Sequence, residues 1–128
     1  FLLHWQINKY EPKNNYMPAD QVLHIQPIEL QRRLEKGDDI CLIDVREEWE
    51  HSLASIAGSE HIPLNELADR IQEIMFEEEI AVYCHHGERA FLGAQILIES
   101  GFKKVFHLTG GIDAWSQVVD PEVPRYRG

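Results

Sequence analysis

One short segment of the chain combines residue types that can carry out nucleophilic chemistry. It reads Tyr83-Cys84-His85-His86-Gly87-Glu88-Arg89-Ala90. An apolar run precedes the segment and a helix-like pattern follows it, so we expect Cys84 at the carboxyl end of a buried strand, where α/β sheets bind ligands. Inward-pointing backbone N–H groups and the amino end of the helix would stabilise an anion on the sulfur. Because the thiolate is the reactive form of cysteine, this placement predicts an activated nucleophile.

The other residues of the segment fit a tight anion-binding loop. Gly87 allows a backbone conformation that other residues resist. Arg89 falls in the first turn of the helix, where a cation opposes the helix dipole, so we expect it to have a local partner: loop carbonyls or an anionic donor. His85 and His86 adjoin Cys84, but structural zinc sites space their ligands apart. We therefore predict no metal, and interpret the two imidazoles as lining the pocket mouth and tuning its charge near neutral pH.

The elements around this segment alternate between strand-like and helix-like patterns. Residues 40–45 and 80–83 are continuous apolar runs typical of buried parallel strands, and shorter strands are predicted at 24–25, 61–63 and 104–108. Helices are predicted from Pro27 to Gly37, over 47–50, after a cap at Asn65, after the cysteine loop and after Gly110. The third helix carries an apolar stripe of Leu67, Ile71, Ile74 and Met75. Alternating strands and helices indicate βαβ units and a parallel sheet.

Four motifs in consistent order resemble those of rhodanese-like domains, over about residues 24–116. The cysteine loop is similar to the family's Cys-x-x-Gly-x-Arg loop. The remaining motifs are Asp44-Val45-Arg46-Glu47 with Trp49-Glu50; Ala57-Gly58 with His61-Ile62-Pro63-Leu64; and Gly101-Phe102 with Leu108-Thr109-Gly110-Gly111-Ile112, Ala114 and Trp115.

The resemblance implies a doubly wound α/β domain: a parallel sheet of about five strands with helices on both faces. It also implies a sulfurtransferase in which Cys84 takes sulfane sulfur from a donor as a persulfide and passes it to a nucleophilic acceptor. Donors would be thiosulfate, a persulfidated protein or a small persulfide, and acceptors a thiol or cyanide. The outer sulfur would lie in a cradle of N–H groups from His85 to Ala90, with no metal or organic cofactor.

The residues outside the loop are interpreted mainly as structural. Asp44 and Arg46 stand at a strand end and are expected to form an ion pair that braces the loop. Cys41 lies within an apolar strand and is expected in the core. Trp49 and Trp115 are interpreted as packing residues.

Two other functions compete with an autonomous sulfurtransferase. Cysteine phosphatases and arsenate reductases also use Cys and Arg in a strand–loop–helix, but with five intervening residues. Only four separate Cys84 from Arg89, and Glu88 would repel a phosphate dianion. The second alternative is a sulfur-relay or regulatory module of a larger protein, because residues 120–126 resemble chain ends of family members fused to adenylating enzymes. Glu88 also replaces a commonly neutral loop residue, which predicts a preference for a protein persulfide over thiosulfate.

The amino-acid composition limits the partners and the cellular compartment that we expect for the domain. Twelve basic and 22 acidic residues give a formal charge of −10 over 128 residues, so nucleic acid and anionic membranes are excluded as expected partners. No apolar run reaches the length of a membrane span, and two cysteines without a CxxC motif fit a reducing cytoplasm.

We expect an extension over residues 1–23 and a rhodanese-like domain with a tail over 24–128. Leu3, Trp5 and Ile7 alternate with polar residues and could support a weak dimer; a monomer is the default expectation.

Overall fold

A five-stranded, all-parallel sheet forms the centre of residues 21–127, the part of the chain that the computed structural model describes. The strands are β1 (Leu23–Ile25), β2 (Cys41–Asp44), β3 (Glu60–His61), β4 (Glu79–Tyr83) and β5 (Lys104–Leu108). Their order across the sheet is β1-β5-β4-β2-β3, which puts β4 in the middle. The predictions for Leu3, Trp5 and Ile7 lie outside the described residues. The boundary between an extension and a domain at residue 24 stays a prediction.

Within residues 21–127, four α-helices connect the strands and a fifth follows β5. They are α1 (Pro27–Lys36), α2 (Glu48–Leu53), α3 (Leu64–Leu67), α4 (Glu88–Glu99) and α5 (Gly111–Val118); a 3-10 helix over Ala68–Glu73 continues α3. Helix α1 has the predicted ends: Pro27 occupies its first turn, and Gly37 ends it with a left-handed φ of 84°. Among the described residues, no helix combines the length and apolar character needed to cross a membrane.

Helices cover both faces of the sheet, so the predicted doubly wound architecture is confirmed. On one face, Ile80 and Val82 of β4 belong to the same buried cluster as Ala94 and Leu97 of α4. On the other face, Ala81 and Tyr83 belong to a second cluster with residues of α1 and α5, including Leu30, Ile112 and Trp115. Because successive strand residues point to opposite faces, β4 is buried on both sides, as its continuous apolar sequence indicates.

Two local predictions need correction. The helix expected after an Asn65 cap begins at Leu64 instead, after Pro63, and Arg70 breaks its regular geometry with φ −117° and ψ 21°. The predicted apolar stripe is consequently buried only in part: Leu67 and Ile74 are buried, whereas Met75 is 54% exposed. Trp49, interpreted from the sequence as a packing residue, is 52% exposed. It lies edge-on to the ring of Tyr126, at a centroid distance of 5.9 Å.

Candidate active site

The sulfur of Cys84 lies at the carboxyl end of the central strand, inside the loop that leads to α4. Its Sγ accepts hydrogen bonds from the backbone N–H groups of Gly87, at 3.0 Å, and Ala90, at 3.3 Å. Only 1% of Cys84 is exposed. The loop therefore turns amide dipoles toward the sulfur at the amino end of a 12-residue helix, an arrangement that stabilises negative charge.

Gly87 is required for this turn. Its φ of 134° is one that other residues rarely adopt, and a Cβ there would lie 2.8 Å from Nε2 of His107. The residue is buried, and its N–H is one of the two that reach the sulfur. A side chain at position 87 would thus disturb both the loop backbone and the amide that contacts Sγ.

The amino end of α5 holds the first part of the loop through backbone hydrogen bonds. The N–H of Ile112 donates to the carbonyl of Cys84 at 2.9 Å, and that of Asp113 donates to the carbonyl of His85 at 3.1 Å. This approach depends on Gly111, where a Cβ would lie 2.3 Å from the oxygen of His85 and 2.5 Å from that of Cys84. Helix α5 and the cysteine loop therefore pack backbone against backbone.

Arg89 holds the other end of the loop through a buried carboxylate. Its Nη1 and Nη2 donate to the two oxygens of Glu50, in α2, at 2.7 and 2.9 Å. Burial by itself would raise the pKa of Glu50, but the bonds from Arg89 and from neighbouring groups hold that pKa at about 2. Arg89 thus has the local partner that its unfavourable helix position implied, and the partner is Glu50 rather than a loop carbonyl.

Asp44 and Arg46 form a fully buried ion pair beside the loop. Arg46 donates through Nε to Oδ1 of Asp44 at 2.9 Å and through Nη2 to Oδ2 at 2.7 Å. Nδ1 of His51 lies 2.7 Å from the same carboxylate. Burial would raise the pKa of Asp44, but these hydrogen bonds keep it below its ordinary value. The arrangement matches the structural role expected of the pair, since the two side chains satisfy each other instead of facing the sulfur.

His85 and His86 have different environments, which corrects the prediction that both line the pocket mouth. His86 is exposed, whereas His85 is only 4% exposed and lies between the rings of His86 and Tyr126, with both centroid distances 4.0 Å. Burial, and then repulsion by His86, lowers the pKa of His85. A buried, neutral imidazole serves here as a packing surface.

A metal site is poorly supported at these histidines. Ligand atoms of His85, His86 and Asp113 lie within 4.8 Å of one another. Asp113, however, already accepts two hydrogen bonds from Arg125, at 2.9 and 3.1 Å, and one from Gln117 at 3.0 Å. The two imidazoles are stacked, with 29° between their planes, so their in-plane lone pairs do not converge on one point. The prediction of no metal here stays a prediction.

The remaining predicted loop residue, Glu88, is exposed, and Cys41, predicted in the core, is buried. Glu88 is the first residue of α4 and its side chain is exposed, where the helix dipole favours a carboxylate. Cys41 is buried in β2, as expected of a core residue. Burial raises the pKa of its thiol to about 12, so it is not a competing nucleophile.

Two residues at this site were not selected from the sequence. Glu50 lies within the Trp49-Glu50 motif that is part of the family resemblance, and that motif was an available signal. Tyr126 offered no such signal: its hydroxyl bonds to Glu50 across 76 residues of sequence. Only the folded chain brings this tail residue to the loop.

Comparison with known proteins identifies the family. A model of the rhodanese-like domain matches residues 26–118, most of the chain. The chain belongs to the rhodanese-like domain family. A Coxiella burnetii thiosulfate sulfurtransferase, GlpE, is 33% identical over 99 residues, which are 77% of this chain and 89% of that protein. A Bacillus subtilis protein named as a candidate sulfur carrier, YrkF, is 32% identical over 98 residues, covering 77% of this chain and 53% of that one.

A solved structure agrees with the rhodanese-like assignment. The reduced CoADR-RHD protein of Bacillus anthracis is 37% identical, with a TM-score of 0.72, and the match covers 84% of this chain and 18% of that protein. The rhodanese-like chain thus spans about half of the sulfur carrier and a small part of this larger protein. At the level of the family, these relatives support rhodanese-type sulfur transfer.

Proposed function

We propose that this rhodanese-like domain transfers sulfane sulfur from a donor to a nucleophilic acceptor through a persulfide on Cys84. The observation that carries the proposal is the pair of backbone N–H groups, of Gly87 and Ala90, that donate to Sγ at 3.0 and 3.3 Å. These amides face the atom that carries the negative charge of the thiolate, and the charged outer sulfur of a persulfide would be bonded to that same atom. The naming of relatives as sulfurtransferases gives the class of reaction further support.

The proposed reaction has two displacement steps. The thiolate of Cys84 attacks the outer sulfur of thiosulfate, the S–S bond of thiosulfate breaks, and sulfite leaves with the bonding electron pair. The new group is Cys84–S–S⁻. An acceptor such as cyanide or a thiolate then attacks the outer sulfur, and the Cys84 thiolate leaves with the electron pair of the broken S–S bond. A persulfide donor would react in the same way, with a thiolate as the first leaving group.

The charges near the loop favour a donor other than free thiosulfate. Both terminal nitrogens of Arg89 are bonded to Glu50, so this cation is already neutralised. Glu88 adds an exposed carboxylate at the start of α4. A thiosulfate dianion therefore meets no unpaired cation in the loop, and we propose that a protein persulfide is the better donor. The relay module of a larger protein is the alternative form of this function, supported by the sulfur-carrier relative whose length the chain half covers.

Intact-mass measurement tests the proposal. We would incubate the protein with thiosulfate, and separately with a persulfidated protein donor, and follow the gain of one sulfur atom. We expect wild type and Cys41→Ala to gain sulfur that cyanide removes, and Cys84→Ser to gain none. Cys41→Ala is the matched control because it removes the other cysteine, a buried thiol whose pKa is raised to about 12.

The outcomes separate the competing functions. Loading by both donors supports an autonomous sulfurtransferase, whereas loading by the protein donor alone supports a relay module. No sulfur on wild type from either donor would rule out the persulfide mechanism. Hydrolysis of an aryl phosphate by wild type but not by Cys84→Ser would then assign the loop to the phosphatase class.

A further inference from the structure

We propose that Tyr126, in the tail after α5, is a positioning residue for the chemistry of Cys84. The inference deepens the proposed sulfur transfer and rests on it. Tyr126 lies beyond residues 26–118, the stretch that the family model matches. Its side chain nevertheless contacts both ends of the cysteine loop: its ring packs on His85, and its hydroxyl acts on Arg89 through Glu50.

The hydroxyl of Tyr126 joins two buried charged groups. It accepts a hydrogen bond from Nη1 of Arg46 at 2.7 Å and donates one to Oε2 of Glu50 at 2.8 Å. The directions are fixed by chemistry, because a guanidinium can only donate and an ionised carboxylate can only accept. The single hydroxyl proton is therefore committed to Glu50.

Through Glu50, the hydrogen bond from Tyr126 also restrains the amides around the sulfur. The same oxygen that accepts from Tyr126 also accepts from Nη2 of Arg89 at 2.9 Å. Arg89 directly precedes Ala90, whose N–H donates to Sγ of Cys84 at 3.3 Å. A shift of the Glu50 carboxylate would thus move Arg89 and loosen an amide that contacts the reactive atom.

The ring of Tyr126 holds the beginning of the loop. It stacks on the imidazole of His85 at a centroid distance of 4.0 Å, with 12° between the planes. His85 is buried and follows Cys84 directly in the chain. The ring and the hydroxyl therefore act on different residues of the loop, and substitutions can separate the two contributions.

These contacts persist across the range of pH in which the reaction can be measured. Burial raises the pKa of Tyr126 to about 12, so the phenol keeps its proton. Glu50 has a pKa of about 2, because the bonds from Arg89 and other donors outweigh its burial. Among the groups packed around the hydroxyl, Arg46 and Arg89 also stay charged, since their pKa values are raised by their acidic and phenolic partners.

The test compares Cys84 alkylation by iodoacetamide in wild type and Tyr126→Phe, which keeps the ring and removes the hydroxyl. We expect the rate at about pH 7 to fall about fivefold, the size of effect of losing one hydrogen bond of average strength, and the rate at about pH 9.5 to change less than about twofold. Tyr126→Leu, which also removes the stack on His85, should lower the rate at about pH 7 further. Sulfur loading at neutral pH should fall in the same order.

Tyr83→Phe is the matched control, since it removes a different buried tyrosine hydroxyl. That hydroxyl accepts from the N–H of Ile56 at 3.1 Å and lies 3.0 Å from Oγ of Ser59, so its contacts are outside the cysteine loop. We expect Tyr83→Phe to lower the melting temperature and to leave the pH profile of alkylation unchanged. An unchanged profile in Tyr126→Phe, or the same change in Tyr83→Phe, would overturn the positioning role.

Alkylation also separates failure of this inference from failure of the proposed function. Iodoacetamide reacts with the thiolate without any sulfur donor. If wild type takes up no sulfur but Tyr126→Phe still changes the alkylation profile, the persulfide mechanism fails and the positioning role stands. If wild type takes up sulfur and Tyr126→Phe matches it in both assays, the persulfide mechanism stands and the positioning role of Tyr126 fails.

Discussion

At the residue scale, the charged groups around the cysteine loop bind one another rather than the sulfur. Glu50 accepts hydrogen bonds from Arg89 and Tyr126 through its carboxylate and from Nη1 of Arg46 through its backbone carbonyl, so a single residue connects the loop, the tail and the neighbouring strand end. Each of these groups is satisfied by another in the network, which is the condition under which buried charge is tolerated. The charged side chains of the network therefore stabilise one another. The backbone amides are the groups that would stabilise the negative charge on the sulfur during the reaction.

The depressed pKa of Glu50 predicts a specific dependence of stability on pH. Because the folded pKa is about 2 and the ordinary value is 4.5, its contribution is present above about pH 4.5 and is lost as the pH falls toward 2. We expect wild type to lose on the order of 2 to 3 kcal/mol more unfolding free energy than Glu50→Gln between about pH 5 and about pH 2. Urea unfolding of both proteins across this range measures the difference, and parallel curves would contradict the assignment.

The sequence identified the candidate nucleophile but not the residues that hold its loop. Cys84, Gly87 and Arg89 could be identified because they lie within one short loop, where the spacing between residues is visible in the sequence. The partner of Arg89 is 39 residues away and Tyr126 lies 76 residues from Glu50. Such contacts depend on how helices dock on the sheet, which periodicity does not encode. The buried position of His85 was missed for the same reason, because the tail ring that covers it comes from the far end of the chain.

At the element scale, the close approach of α5 to the cysteine loop depends on the absence of one side chain. Gly111 has a φ of 63°, and a Cβ there would lie 2.3 Å from a loop carbonyl oxygen. Gly37, with a φ of 84°, has nothing within 4 Å of such a Cβ. The two glycines thus share a left-handed backbone but differ in what surrounds them.

Alanine substitution should separate backbone strain from close packing. We expect Gly37→Ala to cost about 1 to 2 kcal/mol of unfolding free energy, from the left-handed backbone alone. Gly111→Ala should cost at least about 3 kcal/mol, because strain and collision with the loop add. It should also slow sulfur loading of the protein that remains folded. Thermal and urea unfolding measure the costs, and equal values for the two variants would contradict the packing argument.

Helices and strands whose ends are marked by characteristic residues were predicted well, and those whose ends lack such residues were not. Helix α1 was assigned from a proline and a glycine, and strand β4 from a continuous apolar run; both were confirmed. The region after Pro63 has an apolar stripe but becomes a short α-helix and a 3-10 helix, broken at Arg70. There Leu67 and Ile74 pack in the core while Met75 does not, so packing on the sheet rather than helical period decided the geometry.

At the scale of the whole molecule, the acidic surface should act on the choice of donor. The chain carries a formal charge of −10, and the loop cation Arg89 is already paired. Repulsion of a dianion by such a surface weakens as salt screens it, whereas an uncharged donor is unaffected. The salt dependence of the rate therefore reports on the charge of the donor.

We expect kcat/KM with thiosulfate to rise about twofold or more between about 0.02 M and about 0.2 M potassium chloride. Glu88→Val should raise the rate at low salt and flatten this dependence, because the exposed carboxylate nearest the start of α4 is gone. Steady-state rates with thiosulfate and with a neutral persulfide donor provide the comparison. No gain in Glu88→Val would count against a role of this carboxylate in donor choice.

The central position of β4 also bears on how long each part of the site survives thermal fluctuation. Strands β2 and β5 flank β4 on both sides, and residues 80–83 are fully buried. Amides so placed exchange with solvent only when the whole domain unfolds, whereas a short tail opens by local fraying at much lower free energy. Hydrogen exchange should thus find the strand that carries Cys84 among the slowest segments and residues 120–127 among the fastest. We therefore expect the tail to detach many times within the lifetime of one native fold, and each detachment would leave β4 in place while the cysteine loop loses its contacts with Tyr126.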